Sequence, residues 1–576
     1  MSASDPQAAP QRRGDGRRPA RAQAVLDHFA DALAAAPDDA ALWARFSWTL
    51  GGAGGIEETL VSVAEAALAP TLTHPGVDPV ALEPVLRDHL RRLPALGPWL
   101  RRTDREPIPP PFGPAQAAAV ARSPVLLAVL SGTTLPDLAA DRLVAALRRH
   151  LVLTSPPAGS EGTALAVAAA RACFRTDYVH PPGPGEVEAV RRIEADLSSR
   201  PLGADPGDAG RVALLAAYRP LGPWAGADPL EAWVAEGGAP ALVPLVDEQV
   251  RAPRREARLA REMPRIGRVP DTGSHPVRAF YESHPYPRWG RLGHRDALDL
   301  PTRLEVDFLG RRPQGLPCPE RPEVLVAGCG TGHHPLAVRA GLRGARVTAL
   351  DLSLASLAHA ARKAEDLGLD DVAFLQADLL ELSAWDRTFD VVESLGVLHH
   401  LSDPAAGLEA LRERLRPGGL MHVGVYSRRG RRPVYRARAL LADLGFGPGE
   451  GRWDVEDDGD AVRSAREALL PLLRRDPELR PLLDVPDLYT LPTFRDLFLH
   501  PLETAFDLPE IAALLQRYRL EFLGFGGLSR ATLAAFRAEL PEPDAETDLS
   551  AWDAFEARHP GTFPGLYRFW CRAVSP

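Results

Sequence analysis

Three glycines in the run Gly328-Cys329-Gly330-Thr331-Gly332 end the apolar stretch VLVAG and open a helical pattern. Glycine is required where a chain turns tightly between a strand and a helix and lets a ligand approach the backbone N–H groups at the helix start. Asp351 follows 19 residues after Gly332, at the end of the β-rich run RVTALD. A carboxylate there can accept both ribose hydroxyls of a nucleoside cofactor. Asp378 ends a third run, VAFLQAD, in reach of an adenine amino group. The adjacent pair His399-His400 invites a catalytic or metal reading. Neighbouring histidines point in different directions on a regular element, however, and no acidic partner set is evident, so packing at a pocket edge is expected and no metal.

These residues need a frame that brings strand ends together. Val324–Gly328, Arg346–Asp351, Val372–Asp378, Phe389–Gly396 and Leu420–Ser427 read as strands alternating with helical runs, the grammar of a parallel sheet with helices on both faces. Tyr518–Phe525 and Gly565–Val574 read as two further strands. From Ala22 to Pro264 apolar residues recur at three-to-four spacing, as in Val25, Phe29 and Leu33, and breakers cut the stretch into short helices without a fixed period.

The glycine loop, Asp351, QADLLEL, FDVVESLGVLHHLSDP and LRPGGL together resemble the class I S-adenosylmethionine-dependent methyltransferases. The resemblance implies an α/β fold, a Rossmann-like seven-stranded methyltransferase domain, here preceded by an irregular all-α domain. It implies S-adenosyl-L-methionine as cofactor, with Ala327, Gly328, Cys329, Gly330 and Gly332 at its methionine portion, Asp351 and Leu352 at the ribose, Asp378 and Leu379 at the adenine, and Glu393 and Ser394 bordering the acceptor. Val326 departs from the family, in which many members carry an acid there for the methionine amino group. NAD binding is the competing reading, but dinucleotide loops show GxGxxG, and His333 stands where the last glycine would be. Enzymes that methylate adenine N6 or glutamine amides carry an Asn/Asp-Pro-Pro-Tyr element where this chain has Glu393-Ser-Leu-Gly, which disfavours those substrates.

The segment AFYESHPYPRWGRL, Ala279 to Leu292, packs four aromatic residues around two prolines. It reads either as a stiff linker or as a lid in which Tyr281, Tyr286, Arg288 and Trp289 close over the donor and meet the acceptor. Similar YExxPYPRW segments mark a bacterial group of methyltransferases with helical, TPR-like N-terminal extensions. The expected organisation is a disordered tail over 1–21, a helical domain over 22–264, an aromatic linker over 265–300, the core over 301–427, an insertion covering the acceptor side over 428–517, and terminal strands over 518–576. In the insertion His500 and Glu503 read as lying near a helix start, Glu503 as a surface cap. Tyr281, His399 and His500 are the candidates for direct chemistry. A sulfonium donor is already activated, so positioning can carry most of the catalysis, and a base is needed only if the acceptor must lose a proton.

Composition narrows the alternatives. Of 67 Lys plus Arg only Lys363 is lysine, which sets aside P-loop NTPases, protein kinases and pyridoxal enzymes, each dependent on a positioned lysine. Lys363 itself is expected in solvent. A net charge of -9 gives no global drive toward nucleic acid. Four scattered cysteines argue against a disulfide framework, and no apolar run approaches the roughly 18 residues of a membrane span, so a cytoplasmic location is expected. The acceptor, metabolite or polypeptide, stays open. The alternatives to catalysis are a silent cofactor-binding scaffold and a protein-interaction module.

Overall fold

A computed structural model describes residues 32, 35–36, 38–52, 68–106, 110–154, 159–267, 275–283, 285–287, 289–447, 459–542 and 544–574. The expected tail over 1–21 and Arg288 lie outside these residues.

Seven strands form one sheet in the order β3-β2-β1-β4-β5-β7-β6, namely β1 Glu323–Ala327, β2 Arg346–Asp351, β3 Ala373–Gln376, β4 Phe389–Leu395, β5 Leu415–Tyr426, β6 Leu520–Phe525 and β7 Leu566–Ala573. The first five are parallel, and β7 runs antiparallel to both β5 and β6. This reversed strand separates the sheet from the all-parallel dinucleotide-binding order. The central strands are apolar on both faces because helices cover both, so Val324, Leu325, Val326 and Ala327 are all buried. Strand order reverses between β1 and β4, which opens a crevice at the carboxyl ends of these strands.

Before the sheet the described chain is helical up to Glu262, with its own core around Leu143, Leu147, Val212 and Leu215. The insertion contributes the helices Arg432–Asp443, Gly459–Arg475 and Leu491–Leu499, whose core also takes in Leu138 and Val179 of the helical half. Three polar links join the same faces. Arg466, fully buried, pairs with Asp141 at 2.7 Å and donates to Leu488 O. Arg463 donates to Tyr178 O, and Arg474 to the carbonyls of Asp104 and Glu106. Among the described residues no single helix is long and apolar enough to cross a membrane.

Lys363 departs from expectation. It is half-buried, its Nζ 4.9 Å from the Trp289 ring centroid and donating to Gly290 O, and desolvation lowers its pKa to about 8.

Candidate functional site

The crevice opens into a cavity of about 1020 Å³. One end is built from strand ends. Gly328, Cys329 and Gly330 after β1, Asp351 and Leu352 at the end of β2, and Asp378 and Leu379 after β3 all line it. The loop needs glycine for two reasons. Gly330 has φ +51°, and a Cβ there would lie 2.7 Å from Tyr286 O; Gly332 has φ +91° and would press a Cβ to 2.5 Å from Ala360 Cβ. Gly332 starts the helix His333–Gly341, whose free N–H groups point to the crevice end of the sheet.

Asp351 is held rather than free. Its Oδ2 accepts from Gly330 N at 2.7 Å and its Oδ1 from Ser353 N at 2.9 Å. Burial pushes its pKa up, and these amides oppose that. A carboxylate has about four lone-pair sites, so each oxygen keeps capacity for a ribose hydroxyl. Asp378 accepts from Leu380 N at 3.0 Å, which fixes its side chain at the start of the following short helix.

Val326 leaves no acid at its own position on β1, but Glu393 is its register partner on β4. Glu393 and Ser394, expected at the acceptor border, lie fully buried within β4, one on each face of the sheet, and the chain reaches the cavity only beyond them, at Leu395, Gly396 and Val397. Glu393 acts through a neighbour. It accepts from His334 Nε2 at 2.8 Å and pairs with Arg303, and these partners hold its pKa well below the usual range against burial. His334 lines the cavity with its Nε2 committed to Glu393. Ala327 and Gly332 shape the loop from behind and do not line the cavity.

The segment before the sheet folds over this end. The helix His275–Ser283 brings Glu282 to the backbone, where it accepts from Leu354 N at 2.8 Å and Ala355 N at 3.0 Å at the start of the helix after Asp351. Tyr281 and Tyr286 line the cavity. Trp289 does not: its Nε1 donates to Thr331 O at 2.9 Å and its ring packs edge-on against His333, so it braces the glycine loop from outside.

The other end of the cavity belongs to the insertion and β5. Tyr281 donates to Asp496 at 2.7 Å and Tyr286 to Asp487 at 3.2 Å. Desolvation raises both carboxyls to about 6, and Asp496 adds to the rise at Asp487. Tyr426 lines the wall with Arg431 stacked on it, the guanidinium 3.4 Å from the ring centroid. Glu503 is buried and paired with Arg431 and Arg438, both at 2.8 Å, instead of capping a helix at the surface.

The histidines separate by role. His399 is buried and stacked on Tyr426, with ring centroids 3.5 Å apart, and does not reach the cavity. His400 lines the cavity and donates from Nδ1 to Leu502 O at 3.0 Å. His500 ends the helix Leu491–Leu499 rather than starting one, and packs behind His400 with ring centroids 3.8 Å apart. Desolvation lowers all three pKa values, that of His400 to about 4, so they are neutral.

His400, Asp496 and His500 bring ligand atoms within 4.8 Å of one another, a cluster hidden in the sequence by about a hundred residues of separation. Yet Leu502 N donates to His500 Nδ1 at 3.1 Å, which puts the proton of the neutral ring on Nε2. That nitrogen is then a donor, and the trio lacks the third lone pair a metal needs.

Asp487, Asp496, Glu282, Arg431 and His334 carried no motif signal as site residues. Glu282 falls within YESHPYPRW and Asp496 four residues before His500 in RDLFLH, and the aromatic and charged density of these stretches was the available hint.

A family model described as a methyltransferase domain matches residues 324–419. An uncharacterised protein of Synechococcus sp. is 31% identical over 271 residues, which cover 46% of this chain and 62% of that protein. A ubiquinone biosynthesis O-methyltransferase of Alkalilimnicola ehrlichii is 34% identical over 27% of this chain and 59% of its own length. The chain thus spans less than two thirds of the length of these relatives. Among solved structures, PKMT2 from Rickettsia typhi in complex with AdoHcy aligns with a TM-score of 0.37 at 17% identity, over 51% of this chain and 55% of that one. The matched stretch runs from β1 into β5 and contains the glycine loop, Asp351 and Asp378. Residues 324–419 thus match a methyltransferase domain, and the seven-stranded order with its reversed β7 is the class I fold.

Proposed function

We propose that the chain transfers a methyl group from S-adenosylmethionine to an acceptor that enters from the insertion side of the cavity. The observation that carries this reading is one continuous space with two unlike ends, a glycine loop with Asp351 and Asp378 at one and side chains of the insertion at the other. A space of about 1020 Å³ is at the upper end of small-molecule sites, roomy enough for a donor and part of an acceptor.

The donor supplies a methyl group on a sulfonium centre, already activated for attack. The protein's part is to hold and to exclude water. Asp351 takes the ribose hydroxyls, Asp378 the adenine edge, and the Gly328–Gly330 backbone the methionine portion. His334, set by Glu393, takes over the amino-group role that Val326 cannot fill. Tyr281 and Tyr286 close the cavity over the reacting centre, and the stacked pair of Arg431 and Tyr426 forms its far wall. Such positioning accounts for a large share of the barrier in reactions of preactivated groups, on the order of 7–11 kcal/mol at best.

We read the helical half as the TPR-like extension of the bacterial group that carries YExxPYPRW segments, fixed to the insertion as a support for the acceptor side. Four cysteines with no disulfide among them suit a reducing, cytoplasmic setting.

Turnover is tested by following formation of S-adenosylhomocysteine with cell extract as the acceptor source. Product above the extract-only control is expected. Intact donor binding without product would identify a silent scaffold instead.

A further inference from the structure

The insertion end of the cavity presents hydrogen-bond acceptors almost throughout. Asp487 and Asp496 each spend one oxygen on a tyrosine hydroxyl and keep further lone pairs. His400, only 5% exposed, has Nδ1 committed to Leu502 O, so its remaining ring nitrogen is an acceptor with no protein partner among the described residues. The rings of Tyr281, Tyr286 and Tyr426 frame the same space. Cations on this wall are largely spent: Arg431 on Glu503, and Arg429 on Asp553 and Glu556, which leaves Arg432 at the exposed rim.

Resting on the methyl-transfer reading, we propose that the acceptor is an aliphatic amine, bound as its ammonium between Asp487 and Asp496 beneath the rings of Tyr281, Tyr286 and Tyr426. A carboxylate acceptor would meet two carboxylates lining the same wall, one of them buried, an unfavourable like-charge contact. A neutral hydroxyl would leave both acids uncompensated in a desolvated wall. An ammonium satisfies both through charge-assisted hydrogen bonds and gains from the ring faces.

The chemistry balances without an added reactant. The bound ammonium gives one proton to the Asp496 carboxylate. The freed nitrogen lone pair forms the N–CH3 bond as the S–CH3 bond breaks, its electron pair passing to sulfur. Asp496 then releases its proton to solvent. Ammonium and sulfonium become methylammonium, thioether and one proton. His400, neutral and beside Asp496, offers an acceptor that keeps the amine N–H groups oriented.

The test uses the full chain, S-adenosylmethionine labelled in its methyl group, and cell extract fractionated by size. Mass spectrometry and stability to mild alkali identify the bond formed. Label in N-methyl groups of aliphatic amines is expected; the small-molecule fraction indicates a metabolite and the large one lysine side chains or protein N-termini. Asp496→Asn is expected to lower kcat/KM for the amine by at least a hundredfold, and Asp487→Asn to raise KM tenfold or more. Both should keep donor affinity within twofold, which also reports that they fold. Label in methyl esters or ethers would overturn the proposal, as would variants that lose donor affinity, since the acids would then serve the donor's own ammonium. Donor binding without any transfer would remove the methyl-transfer reading itself.

Discussion

Asp496 shows how a residue without a sequence signature becomes a candidate for acid–base work. It is buried, its nearest hydroxyl partner is Tyr281, and desolvation raises its carboxyl to about 6. Asp487 behaves alike. The groups facing the pair are Tyr281, Tyr286, Tyr426, His400, Arg431, Arg438 and Glu503; burial pushes Tyr281 and Tyr426 up, the Asp487 charge and burial push Tyr286 up, Glu503 helps hold Arg431 charged against burial, and desolvation lowers His400 to about 4, so none of these five changes charge near pH 6. Both acids are protonated below their pKa and can hold a cation only above it, so kcat/KM is expected to rise through about pH 6, measured in a constant-ionic-strength buffer series. Stability moves the other way. A carboxyl whose folded pKa lies above its unfolded value near 3.9 favours the folded state in acid, a contribution lost as pH rises from about 4 through about 6. In contrast, Gly328, Cys329, Gly330, Asp351 and Asp378, whose places at strand ends are local features of the sequence, all line the cavity. Glu393 does not line the cavity because it lies two residues back from the carboxyl end of β4, under the sheet's cover, and where a strand ends relative to its neighbours is set by tertiary contacts that a local pattern does not record.

At the level of elements, the alternation of β-rich and helical runs marked all seven strands to within a few residues. β5 begins earlier than expected, at Leu415, and β3 is shorter. What could not be read was how the segment from Ala279 to Leu292 divides. Glu282 caps the helix after Asp351 and Tyr281 faces the cavity, while Trp289 turns away to brace the loop. Such a split depends on contacts with residues 42 to 215 positions away, which no local pattern records. Glu282→Ala should cost about 0.5–2 kcal/mol of stability as a lost cap and weaken donor binding, read by thermal unfolding with and without S-adenosylmethionine. Gly332→Ala forces a Cβ into Ala360 at positive φ. It should destabilise by about 1–3 kcal/mol, seen as a lower denaturation midpoint at unchanged slope.

For the whole molecule, the helical half and the insertion behave as one support. Their shared apolar core and the buried pair of Arg466 with Asp141, 325 residues apart in sequence, tie the acceptor wall to the N-terminal helices. Removing one member of a buried pair leaves the other uncompensated, which costs about 3–5 kcal/mol. Asp141→Ala should therefore speed proteolysis at the junction and lower acceptor turnover more than donor affinity, checked by limited proteolysis beside calorimetry. The sequence could indicate two halves of different grammar, but not that the second half's insertion shares its core with the first. That link arises only when distant chain segments are brought together.

On the methyl-transfer reading the Asp351 end of the cavity holds S-adenosylmethionine. Calorimetric titration of the wild type and of Asp351→Ala tests it most directly. Each charge-assisted hydrogen bond to the ribose contributes about 1.5–3 kcal/mol, so the substitution should weaken binding by tens to hundreds of fold. Equal affinity in the two proteins, or no binding by the wild type, would contradict the account.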